Sequence, residues 1–140
     1  MCDAVAIRPG RREDLARVAE IQAASSEAAR WDVEDYLAHD FRVADRGGAV
    51  LGFCVARRVA EDESELLNLA VDPARRREGV ATALLRDLAE RHPGAVFLEV
   101  RAGNAAALSL YKNFSFQEVA VRAGYYQNPP EAAVVMCLRS

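Results

Sequence analysis

Between Asp72-Pro73, which closes an apolar strand, and Val80, which opens an amphipathic helix, the chain carries Arg75-Arg76-Arg77-Glu78-Gly79. A strand that passes through a glycine-bearing turn directly into a helix gathers the helix's first backbone N–H groups and the positive end of its dipole at one spot. This junction demands a sheet with a helix packed on it, and it makes an anion cradle at the strand's end. Gly79 lets backbone approach a phosphate closely, and Ala81 leaves room at the first turn. The same run, Arg76-Arg77-Glu78-Gly79-Val80-Ala81, also reads as an ordinary β-α turn with solvated arginines. Taken alone, it leaves both readings open.

Strand and helix periods place the rest of the chain around that junction. Val5–Pro9 reads as a strand, and Glu13–Ala24 as a helix with Leu15, Val18, Ala19 and Gln22 at helical spacing. After a polar loop, Ser25–Arg30, Trp31 stands at the loop exit and Asp32 caps a short helix bearing Tyr36 and Leu37. Phe41–Ala44 and Val50–Ala56 flank Gly47-Gly48, the signature of an antiparallel hairpin. Glu65–Val71 is the strand before the junction. Val80, Leu84 and Leu88 line one side of the helix after it, which His92-Pro93-Gly94 stops. Val96–Val100 is a strand, Asn104 caps a helix to about Asn113, and Phe116–Arg122 with Ala133–Leu138 reads as a final strand pair. The order β-α-α-β-β-β-α-β-α-β-β predicts an α+β fold with a mixed sheet covered by helices, in one domain spanning residues 1–140. It lacks the strict alternation of a dinucleotide-binding domain.

Composition narrows the function classes. The formal net charge of -3 argues against a nucleic acid or an anionic membrane as default partner. Cys2, Cys54 and Cys137 are scattered and odd in number, with no C-x-x-C pair and no histidine at metal-ligand spacing, so no metal site is expected and a reducing compartment is. No apolar run reaches the roughly 18 residues of a membrane helix, and the start of the chain lacks the apolar run of a signal peptide. A cytoplasmic enzyme or binding module is the expectation.

Two further clusters carry candidate chemistry. In Leu98-Glu99-Val100, strand alternation turns Glu99 away from its apolar neighbours. Asn104, Leu108 and Tyr111 fall on one helical stripe, so a carboxylate, an amide and a phenol can converge on one cleft. The structural alternative gives Asn104 a capping role, Glu99 a salt bridge and Tyr111 a packing role. The segment Arg122-Ala-Gly-Tyr125-Tyr126-Gln-Asn-Pro129-Pro130-Glu131 joins the last two strands, where its tyrosines either cover a core edge or line a peptide groove.

Together these segments resemble the acetyl-CoA-binding and catalytic motifs of the GNAT superfamily. Leu67-Asn68-Leu69-Ala70-Val71-Asp72-Pro73 is similar to its central strand and Arg76-x-x-Gly79-x-Ala81 to its pyrophosphate loop. Leu98-Glu99-Val100-Arg101-Ala102-x-Asn104-x-x-Ala107-x-x-x-Tyr111 with Arg122-x-x-Tyr125-Tyr126 is similar to the bacterial ribosomal-protein-alanine branch, which acetylates a protein N-terminus. The resemblance implies a sheet of about seven strands with about four helices. It makes Glu99 the general base and Tyr111 the general acid toward the departing CoA sulfur. Backbone groups of Leu69 and Val71, with Ala70 between them, would align the thioester and pantetheine, Arg76, Arg77, Glu78, Gly79, Val80, Ala81 and Thr82 would hold the diphosphate, and Asn104, Ala107 and Tyr111 would complete the cofactor site. Trp31, Tyr125 and Tyr126 would frame the acceptor, a peptide N-terminus such as that of a small-subunit ribosomal protein. Two positions depart from the pattern: Ser115 stands where the family commonly has Gly, and Ala132 where it tends to have Asp.

Residue chemistry favours direct acetyl transfer. An α-amine titrates near pH 8, so part of it is already a neutral nucleophile and a modest base suffices, whereas a lysine near 10.4 needs stronger help. No Cys-His arrangement supports a covalent acetyl-enzyme. The competing readings are an acetyltransferase for lysine or a small amine, and an acyl-CoA-binding module without turnover.

Overall fold

The computed structural model describes residues 4–126 and 131–139, with only the backbone of Tyr126. Strands β1 (Ala6–Pro9), β2 (Asp40–Arg46), β3 (Ala49–Ala60), β4 (Glu63–Val71), β5 (Ala95–Arg101), β6 (Gln117–Tyr126) and β7 (Glu131–Arg139) form one sheet in the order β1-β2-β3-β4-β5-β7-β6. Helices α1 (Leu15–Ala24), α2 (Val80–Arg91) and α3 (Ala105–Asn113), with a 3-10 segment at Val33–Ala38, cover it. The expected element order and the α+β class hold.

The two faces of the sheet bury separate cores. α2 and α3 pack Leu84, Leu85, Leu88 and Tyr111 against Leu51, Leu69, Leu98 and Met136. On the opposite face, Leu15, Val18 and Ile21 of α1 and Tyr36 of the 3-10 segment meet Phe41, Val43, Phe53 and Val55. Alternation sends neighbouring buried strand residues, such as Leu69 and Ala70, to opposite cores. In α1 the expected Leu15, Val18 and Gln22 are buried, joined by Ile21, while Ala19 is only half-buried.

Strands run longer than their apolar patterns. β3 continues through Arg57–Ala60, all exposed, and β6 reaches Tyr126. These extensions bury little, so periodicity could not mark them. The hairpin at Gly47-Gly48 forms as expected, with φ of 61° and 92°, the positive values its two-residue turn requires.

One irregularity positions the site. In the antiparallel pairing of β3 with β4, Val55 faces Asn68 but Ala56 faces Leu66, so Leu67 is the extra residue of a bulge. β4 and β5 are parallel neighbours only over Glu63–Glu65 with Ala95–Phe97. Beyond those pairs the strands part, just as β4 enters its bulge, and a cleft opens in the middle of the sheet.

Candidate active site

A strand that loses its neighbour must satisfy its backbone another way. The Leu69 N–H donates to Asn68 Oδ1 at 3.0 Å, the Val71 N–H donates to Glu27 Oε2 at 3.2 Å, and the Val71 carbonyl accepts from Ser25 Oγ at 3.1 Å. Side chains thus stand in for a partner strand along this edge.

Two cavities lie along the parted strands. The larger, of about 510 Å³, is lined by Trp31, Asn68, Glu99, Arg101, Asn104 and Tyr111 among others. The convergence of Glu99, Asn104 and Tyr111 expected from spacing is therefore present. The smaller, of about 240 Å³, lies over the start of α2, lined by Val71, Arg76, Gly79, Thr82, Ala106 and Leu110 among others. Glu27 borders both.

Glu99 opens to solvent from β5, as alternation requires, and its carboxylate takes an ion pair from Arg122 at 3.1 Å. Tyr125 donates its phenol to the same carboxylate, and that hydrogen bond raises the pKa of the Tyr125 hydroxyl. The Arg122 guanidinium lies 5.4 Å from the centre of the Tyr125 ring. Arg122 and Tyr125 are thus brought onto Glu99 across β7. Tyr126 carries its backbone into a pair with Glu131, and its side chain lies outside the described residues.

Tyr111 is 5% exposed, and its ring meets Phe116 edge-on at 5.4 Å. Burial drives the phenol's pKa far above its ordinary value, so the hydroxyl is a donor at any working pH. Asn104 performs the capping role, with Oδ1 accepting the Ala107 N–H at 3.1 Å, and its Nδ2 also ties the Ser26 carbonyl at 3.0 Å.

At the junction, Gly79 caps α2 with φ of 82°, no side chain caps that helix, and Arg77 is also left-handed at φ 66°. A Cβ built on Gly79 would meet nothing within 4 Å, so the N-terminus of α2 lies open to an incoming anion. Ala81 and Thr82 border this cavity. Glu78 turns aside to Arg46 at 2.6 Å, and Arg76 pairs with Glu27 at 2.7 Å.

One expected cofactor residue has its side chain in the core. Ala107 is 1% exposed and belongs to the core, because the turn that faces the smaller cavity presents Ala106 and Leu110 instead. The side chains of Leu69 and Ala70 are fully buried on opposite faces of the sheet, which leaves to Leu69 its backbone, the group expected to act, while the Ala70 carbonyl turns toward Gly52 of β3. Sequence reasoning missed Glu27, Asn68 and Glu131. A lone amide inside Leu66-Leu67-Asn68-Leu69 was a signal, since a buried polar side chain must find partners. Asn68 finds Tyr36, Gln22 and both backbone groups of Ala29. Glu131 accepts the Gly103 N–H at 2.6 Å and pairs with Arg101 at 3.2 Å, fixing the turn before α3.

Cys54 is buried and its thiol is pushed up to about 12 by desolvation, which leaves it inert as a nucleophile. Cys2 lies outside the described residues. No helix among the described residues is long and apolar enough to cross a membrane.

Residues 12–116 match the acetyltransferase (GNAT) family. The chain is 38% identical over 99 residues to the ribosomal protein bS18-alanine N-acetyltransferase of Escherichia coli, a stretch that is 66% of each chain and so just under two thirds of that enzyme's length. It is 31% identical over 143 aligned positions to a putative enzyme of the same name from Bacillus subtilis, covering 94% of this chain and 93% of the other. The crystal structure of the E. coli ribosomal-protein-S18-alanine N-acetyltransferase superposes with a TM-score of 0.79 at 29% identity, over 96% of this chain and 93% of that one. With the family match spanning most of the chain and the cleft built as described, this chain belongs to the GNAT family of acetyltransferases.

Proposed function

We propose that this chain transfers the acetyl group of acetyl-CoA to the α-amine of a protein N-terminus, in one direct step. The observation that carries the reading is the pair of adjoining cavities. An open helix N-terminus at Gly79 suits a diphosphate, and next to it Glu99 and Tyr111 share one cavity wall. A single extended ligand with an anionic middle and a reactive end fits that arrangement.

Acetyl-CoA supplies the acetyl group as an activated thioester. The backbone at the start of α2 holds the diphosphate, with Arg76 beside it, and the cleft edge of β4 at Leu69 and Val71 aligns the rest. Glu99 collects the proton that the amine loses as its nitrogen bonds to the acetyl carbon. Tyr111, kept protonated by burial, gives a hydrogen bond to the thiolate sulfur as the carbon–sulfur bond breaks. A full proton transfer would run uphill, since a thiol near 8.5 is far more acidic than this phenol.

The acceptor lies across the larger cavity between Trp31 and the Tyr125 side of β6, its α-amine beside Glu99. The bS18-alanine enzymes to which the chain is similar support an N-terminus beginning with a small residue such as Ala, on a small-subunit ribosomal protein in the cytoplasm. A panel of peptides varying in their first residue, with N-terminally blocked peptides, free lysine and spermidine alongside, tests the reading. Turnover should require a free N-terminus and tolerate changes further along the peptide. Faster acetylation of lysine or spermidine than of any free peptide N-terminus would overturn it.

A further inference from the structure

The two cavities are separate because one side chain stands between them. Glu27 borders both, its side chain is 8% exposed, and its two oxygens are spent on different partners. Oε1 takes Arg76 Nη2 at 2.7 Å and Oε2 takes the Val71 N–H at 3.2 Å. Two residues earlier, Ser25 Oγ donates to the Val71 carbonyl. The Ser25–Glu27 segment therefore occupies both hydrogen-bonding groups of Val71 and the Arg76 guanidinium, one of those lining the cavity over the open helix end. An anionic ligand reaching from one cavity to the other would need those same groups.

We infer that Glu27 is an internal stand-in for the cofactor, a carboxylate that must be displaced before one acyl-CoA molecule spans both cavities. The inference rests on the acetyl-CoA reading above. It follows that cofactor binding is an exchange: Arg76 and the Val71 N–H leave Glu27 and turn to the ligand. The exchange reaches the acceptor side, because Glu27 is continuous with Ala28–Trp31, which lines the larger cavity. That stretch is pinned to the sheet through Asn68, which bonds both backbone groups of Ala29, and through Gln22, which donates to the Trp31 carbonyl at 2.7 Å. A displaced Glu27 thus pulls on a loop anchored two residues further on, and reshapes the wall of the acceptor groove.

The chain supplies its own reporter. Trp31 is the single tryptophan, it is 42% exposed, and it ends this loop. CoA itself is the probe, titrated into the full chain by calorimetry and by fluorescence excited at the red edge of the indole band. Glu27→Gln keeps the side chain's shape without its charge, and Glu27→Ala removes it. Both should bind CoA roughly threefold to tenfold more tightly than the wild type, the scale of a partly exposed ion pair no longer competing. Trp31 emission should shift on CoA binding in the wild type. In free Glu27→Ala it should already lie near the bound value. Unchanged or weaker CoA binding in Glu27→Gln overturns the inference while leaving the acetyltransferase reading intact. So does a silent Trp31 when calorimetry registers binding. A wild-type chain that fails to bind CoA removes both.

Discussion

Arg122 Nη1 lies 3.1 Å from Glu99 Oε1, an ion pair formed between neighbours of β7 on its two sides. Tyr125 hydrogen-bonds the same carboxylate, so two side chains of β6 orient it. Glu99→Gln should lower kcat by roughly 10²-fold, the scale of general-base assistance, with little change in the KM for acetyl-CoA. Because an α-amine loses its proton near pH 8, the deficit should narrow as pH rises above that point. A deficit that stays constant from pH 7 to pH 10 would remove Glu99 as the base.

Tyr111 offers a cleaner substitution than most buried groups. Phenylalanine keeps the ring that meets Phe116 edge-on and deletes only the hydroxyl. Tyr111→Phe should therefore leave the melting temperature and CoA affinity nearly unchanged while kcat falls by roughly 10²-fold. Equal losses in kcat and in CoA affinity would assign the hydroxyl to ground-state binding instead.

At Gly79 the backbone is left-handed and no neighbour would block a side chain. Gly79→Val thus carries two separable effects. The conformation costs stability, about 1 to 2 kcal/mol for a residue with Cβ, and the new side chain stands where an anion would approach. Melting with and without acetyl-CoA separates them: the unliganded chain should melt a few degrees lower, and the stabilisation by ligand should vanish. A Gly79→Val chain stabilised by acetyl-CoA as strongly as the wild type would place the diphosphate elsewhere.

The elements and the two clusters around Glu99 and Gly79 were legible because each obeys a local rule. The alternation that buries Leu98 and Val100 exposes Glu99, and the turn before Val80 needs a glycine. What stayed hidden depends on pairing. The bulge at Leu67 arises from the register between β3 and β4, and the apolar run Leu66–Val71 reads as an unbroken strand without it. Asn68 and Glu27 acquire their meaning only once the strands part and leave backbone groups to be satisfied. Ala107, which the family resemblance put in the cofactor site, is packed in the core beside Tyr111, a burial that a motif position does not reveal.

Asp40, which lines neither cavity, gathers positive charge around it. Burial pushes its pKa up, but hydrogen bonds from His92 and Arg42 and the charge and hydrogen bond of Arg91 outweigh that and hold it below the ordinary value. Ser64 closes the cluster on His92 Nδ1 at 2.8 Å. A carboxylate with a depressed folded pKa stabilises the protein above its unfolded pKa of about 3.9, and that contribution disappears as pH falls through the folded value. The urea midpoint should therefore drop as pH is lowered below about 4, together with the contributions of Asp14 and Asp45, which Arg8 depresses in the same way. Asp40→Asn should be less stable at pH 7 and show a shallower loss on acidification. An unaltered slope would mean that the Asp40 cluster does not contribute to the acid limb.

Ser115 closes α3 with φ of 78°, in the left-handed conformation that glycine adopts without cost. The helix end is kept despite the substitution: the Ser115 N–H bonds the Lys112 carbonyl at 3.0 Å and the Phe116 N–H bonds the Tyr111 carbonyl at 3.0 Å. The turn is fixed by Phe116, 3% exposed, whose burial against Tyr111 outweighs the local strain. That strain is about 1 kcal/mol or more for a residue carrying Cβ. Ser115→Gly relieves it but adds freedom to the unfolded chain, which takes back about 0.4 to 1 kcal/mol. The net gain should be up to about 1 kcal/mol, or roughly 3 °C in Tm for a chain of this size. Ser115→Ala keeps the Cβ and the strain, so it should gain nothing, and the contrast isolates the backbone from the lost hydroxyl. Ser115 is exposed and lines neither cavity, so kcat and both KM values should stay within error in Ser115→Gly. If Ala stabilises as much as Gly, left-handed strain at the end of α3 is not what limits this helix.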